Sequence, residues 1–163
     1  MTTTGLGYDI HRFAAGRVLV LGGVEIPHDR GLEGHSDADV LSHAIADAVL
    51  GAIGEQDIGH HFPNTDPGIR GISSLEILEK AASLVRSRGA HLNSIDATVI
   101  AEAPKIAPHV FPMRERIAAA LGMPSARVAV KATTNEGLGS IGRGEGIAAM
   151  AVASVELPQG VAS

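Results

Sequence analysis

Residues Gly34–Ile53 read GHSDADVLSHAIADAVLGAI, and they set the architecture of the chain. Ser36 reads as an N-cap with an acidic residue three positions on, a common way to open a helix. Val40, Ala44, Ala48 and Leu50-Gly51-Ala52 then keep helical spacing to about Ile53. Upstream, Thr4–Phe13 alternates like a strand. Arg17–Ile26 (RVLVLGGVEI) reads as a second strand with a glycine pair inside it, and Pro27–Gly34 is turn-rich. Downstream, Glu55–Gly71 is a long Gly/Pro/Asp segment without periodicity, of the kind that in compact domains is functional or mobile. A second helix is expected over Ser73–Arg88, ended by Gly89, and a third over Pro112–Leu121, ended by Gly122. Strands are expected over His91–Ala101 and Arg127–Thr133, with a glycine-dense loop over Gly137–Gly146. Ile147–Leu157 reads as a last strand, with helix as a competitor because of its alanines. The expected fold class is α+β, an α/β sandwich: one mixed β-sheet with about three helices on one face. One catalytic domain spans residues 1–157, and 158–163 is expected to be a disordered tail.

Composition narrows the function. The 163 residues carry a formal charge of −5, 45% apolar and 2% aromatic side chains, and no cysteine. An acidic surface with few aromatics argues against nucleic acid and against an anionic membrane. Without thiolates, any metal must be held by His, Asp or Glu, which suits a catalytic ion better than a zinc finger. Met1–Gly7 has neither a basic start nor an apolar stretch, and no apolar run approaches a membrane span, so a cytoplasmic protein is expected.

Three groups of residues offer chemistry. In a strand Asp9 and His11 point to one side. On a helix Asp39, His43 and Asp47 share one face. Asp9, His11 and His43 together would supply three N/O ligands and leave a fourth position open, as in catalytic zinc sites, with Asp39 or Asp47 orienting His43 from behind. Each pair alone is also what an ordinary wet surface looks like. Lys131–Glu136 (KATTNE) ends a strand with hydroxyls, an amide and a carboxylate, and Glu136 suits Mg²⁺ shared with a phosphate. His60-His61 make a poor chelate because neighbours do not share a face. Gly137–Gly142 matches G-x-G-x-x-G literally. The chain is too short beyond it for a dinucleotide fold, so its glycines serve turns that present Arg143 and Glu145.

Four segments, in order and covering nearly the whole chain, resemble the cyclodiphosphate synthase family of the methylerythritol phosphate route to isoprenoids. They are GLGYDIHRF (Gly5–Phe13), GHSDADVLSHAIADAVLGAIGEQDIGHHFPNTDP (Gly34–Pro67), AEAPKIAPHVFPMRERIA (Ala101–Ala118) and VKATTNEGLGSIGRGEGIAA (Val130–Ala149). The resemblance implies a homotrimer with active sites between subunits. It implies Zn²⁺ or another divalent ion on Asp9, His11 and His43, and Mg²⁺ or Mn²⁺ near Glu136 on the substrate diphosphate. His35 and Thr134 match positions that stabilise the transition state. His35, Ser36, Asp57, Ile58, Gly59, Phe62 and Asp66 would hold the methylerythritol phosphate end, alongside Asp9 and His11. Ala101, Lys105, Ile106, Ala107, Ala132, Thr133, Thr134 and Glu136 would hold the cytidine end of a small-molecule cytidine diphosphate substrate from a neighbouring subunit. Ser140 and Arg143 fall near the implied trimer axis. Ser140 stands where the family often has Phe, and Asn64 where it often has Asp. A metal-dependent phosphohydrolase, or an anion-binding regulatory module built on Arg143, would fit parts of the same pattern but leaves the cytidine-side segments without a role.

Overall fold

A computed structural model describes residues 1–159 apart from Asn64 and Arg70. The position of Asn64, and most of the expected tail at 158–163, therefore lie outside the described residues. Seven strands are seen: β1 (Thr2–Ala14), β2 (Leu19–Leu21), β3 (Val24–Ile26), β4 (Gly31–Leu32), β5 (His91–Ile100), β6 (Val128–Thr133) and β7 (Gly146–Glu156). The α-helices are α1 (Val40–Ala52), α2 (Ile58–His61), α3 (Ser74–Ser87), α4 (Val110–Leu121) and α5 (Gly139–Gly142). Five strands form one mixed sheet in the order β4-β1-β7-β5-β6, in which only β5 and β6 run parallel. The three long helices pack against the sheet and against one another, as expected. The alanine-rich competitor at the C-terminus resolves as strand β7, central in the sheet.

Register explains how small residues create this packing. Gly5 pairs with Ala153, Gly7 with Ala151, Asp9 with Ala149 and His11 with Ile147, so these side chains share the helix-covered face. A Cβ on Gly5 would stand 2.0 Å from the Ala48 carbonyl oxygen, and one on Gly7 would stand 1.9 Å from that of Ala44. Helix α1 therefore lies with its backbone directly on β1. Four helical residues rise about 6 Å and two strand residues about 6.7 Å, so the two elements stay in step. Where the glycines end, Asp9 and His11 project beside the first turns of α1, whose side chains lean toward its N-terminus and carry His43 to them.

Several local expectations are corrected. Arg17–Ile26 is a hairpin rather than one strand: Gly22 (φ 57) and Gly23 (φ 71) form the two-residue turn between β2 and β3. Asp39, not Ser36, caps α1, accepting from the Ser42 N–H at 3.0 Å. It also accepts from the Ser42 hydroxyl (2.8 Å) and from the N–H groups of Gly22 (2.9 Å) and Gly23 (2.8 Å), so one buried carboxylate joins the hairpin turn to the helix. Burial pushes its pKa up, against the hydrogen bonds from Ser42 and Gly23. Glu55–Gly71 is not structureless: Asp57 caps the single turn α2, and Pro67–Ile69 forms a 3₁₀ turn. The Gly137–Gly146 loop likewise contains a helical turn, α5.

The opposite sheet face is bare. Leu6, Tyr8, Ile10, Met150 and Val152 are all exposed there and adjacent by register, Leu6 against Val152 and Tyr8 against Met150. No helix among the described residues is long and apolar enough to cross a membrane.

The glycine contact gives a paired test. Gly7→Ala must push β1 from α1 and is expected to cost about 1–3 kcal/mol. Gly51→Ala, whose Cβ would meet Gly5 only at 3.8 Å, is expected to be neutral or stabilising by about 0.5–1 kcal/mol. Urea unfolding of the two variants beside the parent checks both signs.

Candidate metal centre and active-site cavity

Asp9, His11 and His43 converge so that one ligand atom from each lies within 4.8 Å of the others. Asp9 Oδ2 is 3.0 Å from His11 Nε2 and 3.0 Å from His43 Nδ1. Ligands on a tetrahedral zinc ion stand about 3.3 Å apart, so little movement is needed to admit one. His11 Nδ1 faces the Glu33 carbonyl oxygen at 2.7 Å and must donate to it, which leaves Nε2 a bare acceptor. That buried Nε2 has no hydrogen-bond donor opposite it. An imidazole lone pair therefore points at a carboxylate oxygen, an arrangement that repels unless a cation or proton lies between. The donor set of one carboxylate and two imidazoles fits zinc or a similar divalent ion.

When the rings take up a proton they donate to Asp9 instead of repelling it, and the charge behaviour follows from that state. Burial pushes Asp9 up, but hydrogen bonds from His11 and His43 and the charges on those rings outweigh it and hold it at about 2. His11 is raised above its ordinary 6.5, first by its hydrogen bond to Asp9 and against burial. Asp47 is also raised, by burial before anything else.

These ligands line a cavity of about 450 Å³ that also touches His35, Ser36, Asp57, Ile58, Gly59 and Phe62. Nine of the expected contact residues thus meet in one place. Asp66 does not line it; its carboxylate accepts from the Gly68 N–H at 2.8 Å. Neither Asp39 nor Asp47 orients His43, contrary to expectation. Asp39 is the α1 cap, and Asp47 accepts from the Ile58 N–H at 2.8 Å, tying α2 to α1. His60 and His61 belong to α2, where His61 pairs with Glu55 at 3.1 Å.

The cytidine-side set gathers elsewhere, at the ends of β5 and β6. The Ala101 N–H donates to the Thr133 carbonyl at 3.0 Å, and Thr134 Oγ1 accepts from the Glu136 N–H at 3.2 Å. Glu136 adopts a left-handed φ of 52°. Residues 131–140, including Ala132, Thr133, Thr134, Glu136 and Ser140, are all exposed, as are Lys105, Ala107 and Arg143, while Ala101 and Ile106 are buried. Arg143 pairs with Glu145 at 2.9 Å. None of these residues lines that cavity within one chain, although Ser140 shares a second cavity with His11.

Sequence reasoning missed four contributors. Ser74 and Asp37 stand behind His43, with the Ser74 hydroxyl 2.9 Å from His43 Nε2 and bonded to Asp37. Arg17 donates to the carbonyls of Gly34 and Ser36, both at 2.7 Å, and so holds the loop bearing His35. Glu102 accepts from the Asn135 N–H at 2.8 Å and shapes the turn that carries Glu136. Only the Ser73/Glu76 capping box marked α3's start, and nothing local marked Ser74 as facing a histidine.

The YgbB family model matches residues 2–156. The 2-C-methyl-D-erythritol 2,4-cyclodiphosphate synthase of Akkermansia muciniphila is 57% identical over 157 residues, 96% of this chain and 93% of that protein. Among solved structures, the bifunctional IspDF of Campylobacter jejuni aligns with a TM-score of 0.92 at 42% identity, over 97% of this chain and 43% of that one. A CDP complex of IspF from Plasmodium falciparum aligns with a TM-score of 0.85 at 32% identity, over 97% of each chain.

The Asp9 cluster also sets how the metal-free protein responds to pH. Asp9 is depressed from 3.8 to about 2, so its stabilisation is full above about pH 4 and lost as pH falls toward 2. His11 is raised above 6.5, so its contribution is full below that value and lost as pH rises through its folded pKa. Thermal unfolding of chelator-treated protein is expected to weaken on both flanks, and Asp9→Asn to flatten both.

Proposed function

The chain belongs to the YgbB family, and from that membership we propose that it converts 4-diphosphocytidyl-2-C-methyl-D-erythritol 2-phosphate to 2-C-methyl-D-erythritol 2,4-cyclodiphosphate with release of CMP. Relatives carry the cyclodiphosphate synthase name along nearly their full length. The observation that carries the reading is the convergence of three acceptor atoms on one point at the wall of a substrate-sized cavity. The activity is that of a phosphorus–oxygen lyase: the substrate's 2-phosphate oxygen attacks the β-phosphorus, the bond to the CMP oxygen breaks, and an eight-membered ring closes.

Such a reaction asks a protein for positioning and charge compensation. A chain of net charge −5 needs cations to receive a polyanion. Asp9, His11 and His43 would hold Zn²⁺ or another divalent ion, and Glu136 would help hold Mg²⁺ or Mn²⁺. Bound there, such ions supply Lewis acidity to phosphate oxygens and neutralise charge on the departing CMP. His35 and Ser36, on the loop held by Arg17, would position the methylerythritol phosphate end, with Asp57, Ile58, Gly59, Phe62 and Asp66 closing over it. Ala101, Lys105, Ile106, Ala107, Ala132, Thr133 and Thr134 would take the cytidine end, with Thr134 and His35 steadying the transition state. The nucleophile is the substrate's own 2-phosphate, so the reaction runs without a covalent enzyme intermediate.

The chain also acts as a homotrimer with its site between subunits. Two features support this: the bare apolar sheet face, and the exposure of 131–140 at a distance from the cavity residues meant to share its substrate. Ser140 and Arg143 fall toward the trimer axis in this arrangement. One catalytic domain over residues 1–157 acting in the cytoplasm completes the reading.

His43→Ala is expected to lose bound zinc and to lower CMP release by about 100-fold or more. Zinc content and turnover at parental levels would exclude the metal assignment. Phosphorus NMR of the products separates ring closure from hydrolysis, since a hydrolase yields linear phosphates. Val152→Glu is expected to give a monomer in analytical ultracentrifugation that retains zinc but has lost CMP release; a monomer of full activity would remove the shared-site reading.

A further inference from the structure

We propose that Ser74 and Asp37 are positioning residues that fix the tautomer of His43, so that its Nδ1 lone pair faces Asp9 and any ion held there. The inference rests on the metal reading of Asp9, His11 and His43. Ser74 is the first residue of α3 and fully buried, so its hydroxyl must find partners in the interior. It has two: the Asp37 carboxylate and His43 Nε2, the latter at 2.9 Å.

The direction of each bond follows from a donor census. Asp37 is met by donors, the Ser74 N–H at 3.0 Å, the Asp39 N–H at 3.2 Å and the Ser36 hydroxyl at 3.4 Å. A carboxylate so placed accepts, so the single hydroxyl hydrogen of Ser74 goes to Asp37. Toward His43 the Ser74 oxygen then only accepts, and His43 Nε2 must carry a hydrogen. In the neutral ring Nδ1 is left bare, 3.0 Å from Asp9 Oδ2. His11 is locked the opposite way, with Nδ1–H on the Glu33 carbonyl and Nε2 bare. Two imidazoles in opposite tautomers thus aim lone pairs at the same carboxylate. Only the His43 lock depends on a side chain that mutation can remove, since His11 is held by a backbone carbonyl. Such partners behind a metal-binding histidine raise its basicity and fix its ring.

Long-range ¹H–¹⁵N NMR of the zinc-loaded, histidine-labelled chain tests this without a variant. His43 is expected to show a slowly exchanging Nε2–H and a metal-bound Nδ1. Zinc on Nε2, or an Nε2 without hydrogen, overturns the inference. Ser74→Ala is expected to weaken zinc binding by about 10–100-fold in competition with a chromophoric chelator. It should also speed exchange of that Nε2–H while leaving the His11 signal in place. Ser73→Ala, which removes the neighbouring cap of α3, is the structural control: lower thermal stability, unchanged zinc affinity and an unchanged His43 signal are expected. Zinc affinity in Ser74→Ala equal to that of the parent overturns this inference alone, whereas a parent chain that binds no zinc overturns the metal reading beneath it.

Discussion

Backbone contact between α1 and β1 is the constraint on which the site depends. With glycine at positions 5 and 7, the carbonyls of Ala44 and Ala48 rest where strand side chains would otherwise stand. Any larger residue there would hold the helix off by a side-chain layer, since facing layers in protein interiors are already close-packed. The facing alanines of β7 and α1 serve the same closeness: Ala149, Ala151, Ala153, Ala44 and Ala48 are all buried. The scarcity of aromatics noted at the outset, with small residues in their place, is thus a requirement of the geometry that brings Asp9 to His43.

Around that contact, three carboxylates, Asp39 buried and Asp37 and Asp47 half-buried, join one element to another. Asp39 ties the β2–β3 turn to the start of α1, Asp37 ties the loop before α1 to α3, and Asp47 ties α1 to α2. Each accepts backbone N–H groups at the end or turn of an element, where such donors lack intrahelical partners. The acidic residues of Gly34–Ile53 divide labour that sequence spacing had assigned jointly to metal support.

This division marks the boundary of what was legible. Asp9 and His11 were readable as a pair because alternation is a local property of a strand, and His43 was readable as facing the acidic stretch. The sheet and its three principal helices followed from periodicity as well. The Gly22-Gly23 turn also carried a local signal, two glycines between β-branched and leucine-rich runs, but the uninterrupted apolar pattern on both sides masked it. By contrast, Ser74 meets His43 across 31 residues, and Arg17 reaches the His35 loop through backbone carbonyls, which every residue possesses. No spacing rule encodes such contacts. The cytidine-side set was recognisable only as a family pattern, and its lying outside the cavity of the same chain became visible only in three dimensions.

The bare nitrogen of His11 has a thermodynamic consequence for the chain as a whole. Because its lone pair and that of His43 oppose Asp9 only in the native arrangement, a dication relieves a repulsion that the unfolded polypeptide never experiences. With an ion held there, ligation and folding would be linked equilibria: at a free-ion concentration 100 times its dissociation constant, the native state would gain about 2.7 kcal/mol. The chemical potential of that ion would thereby set how long the polypeptide survives, independently of whether substrate is present.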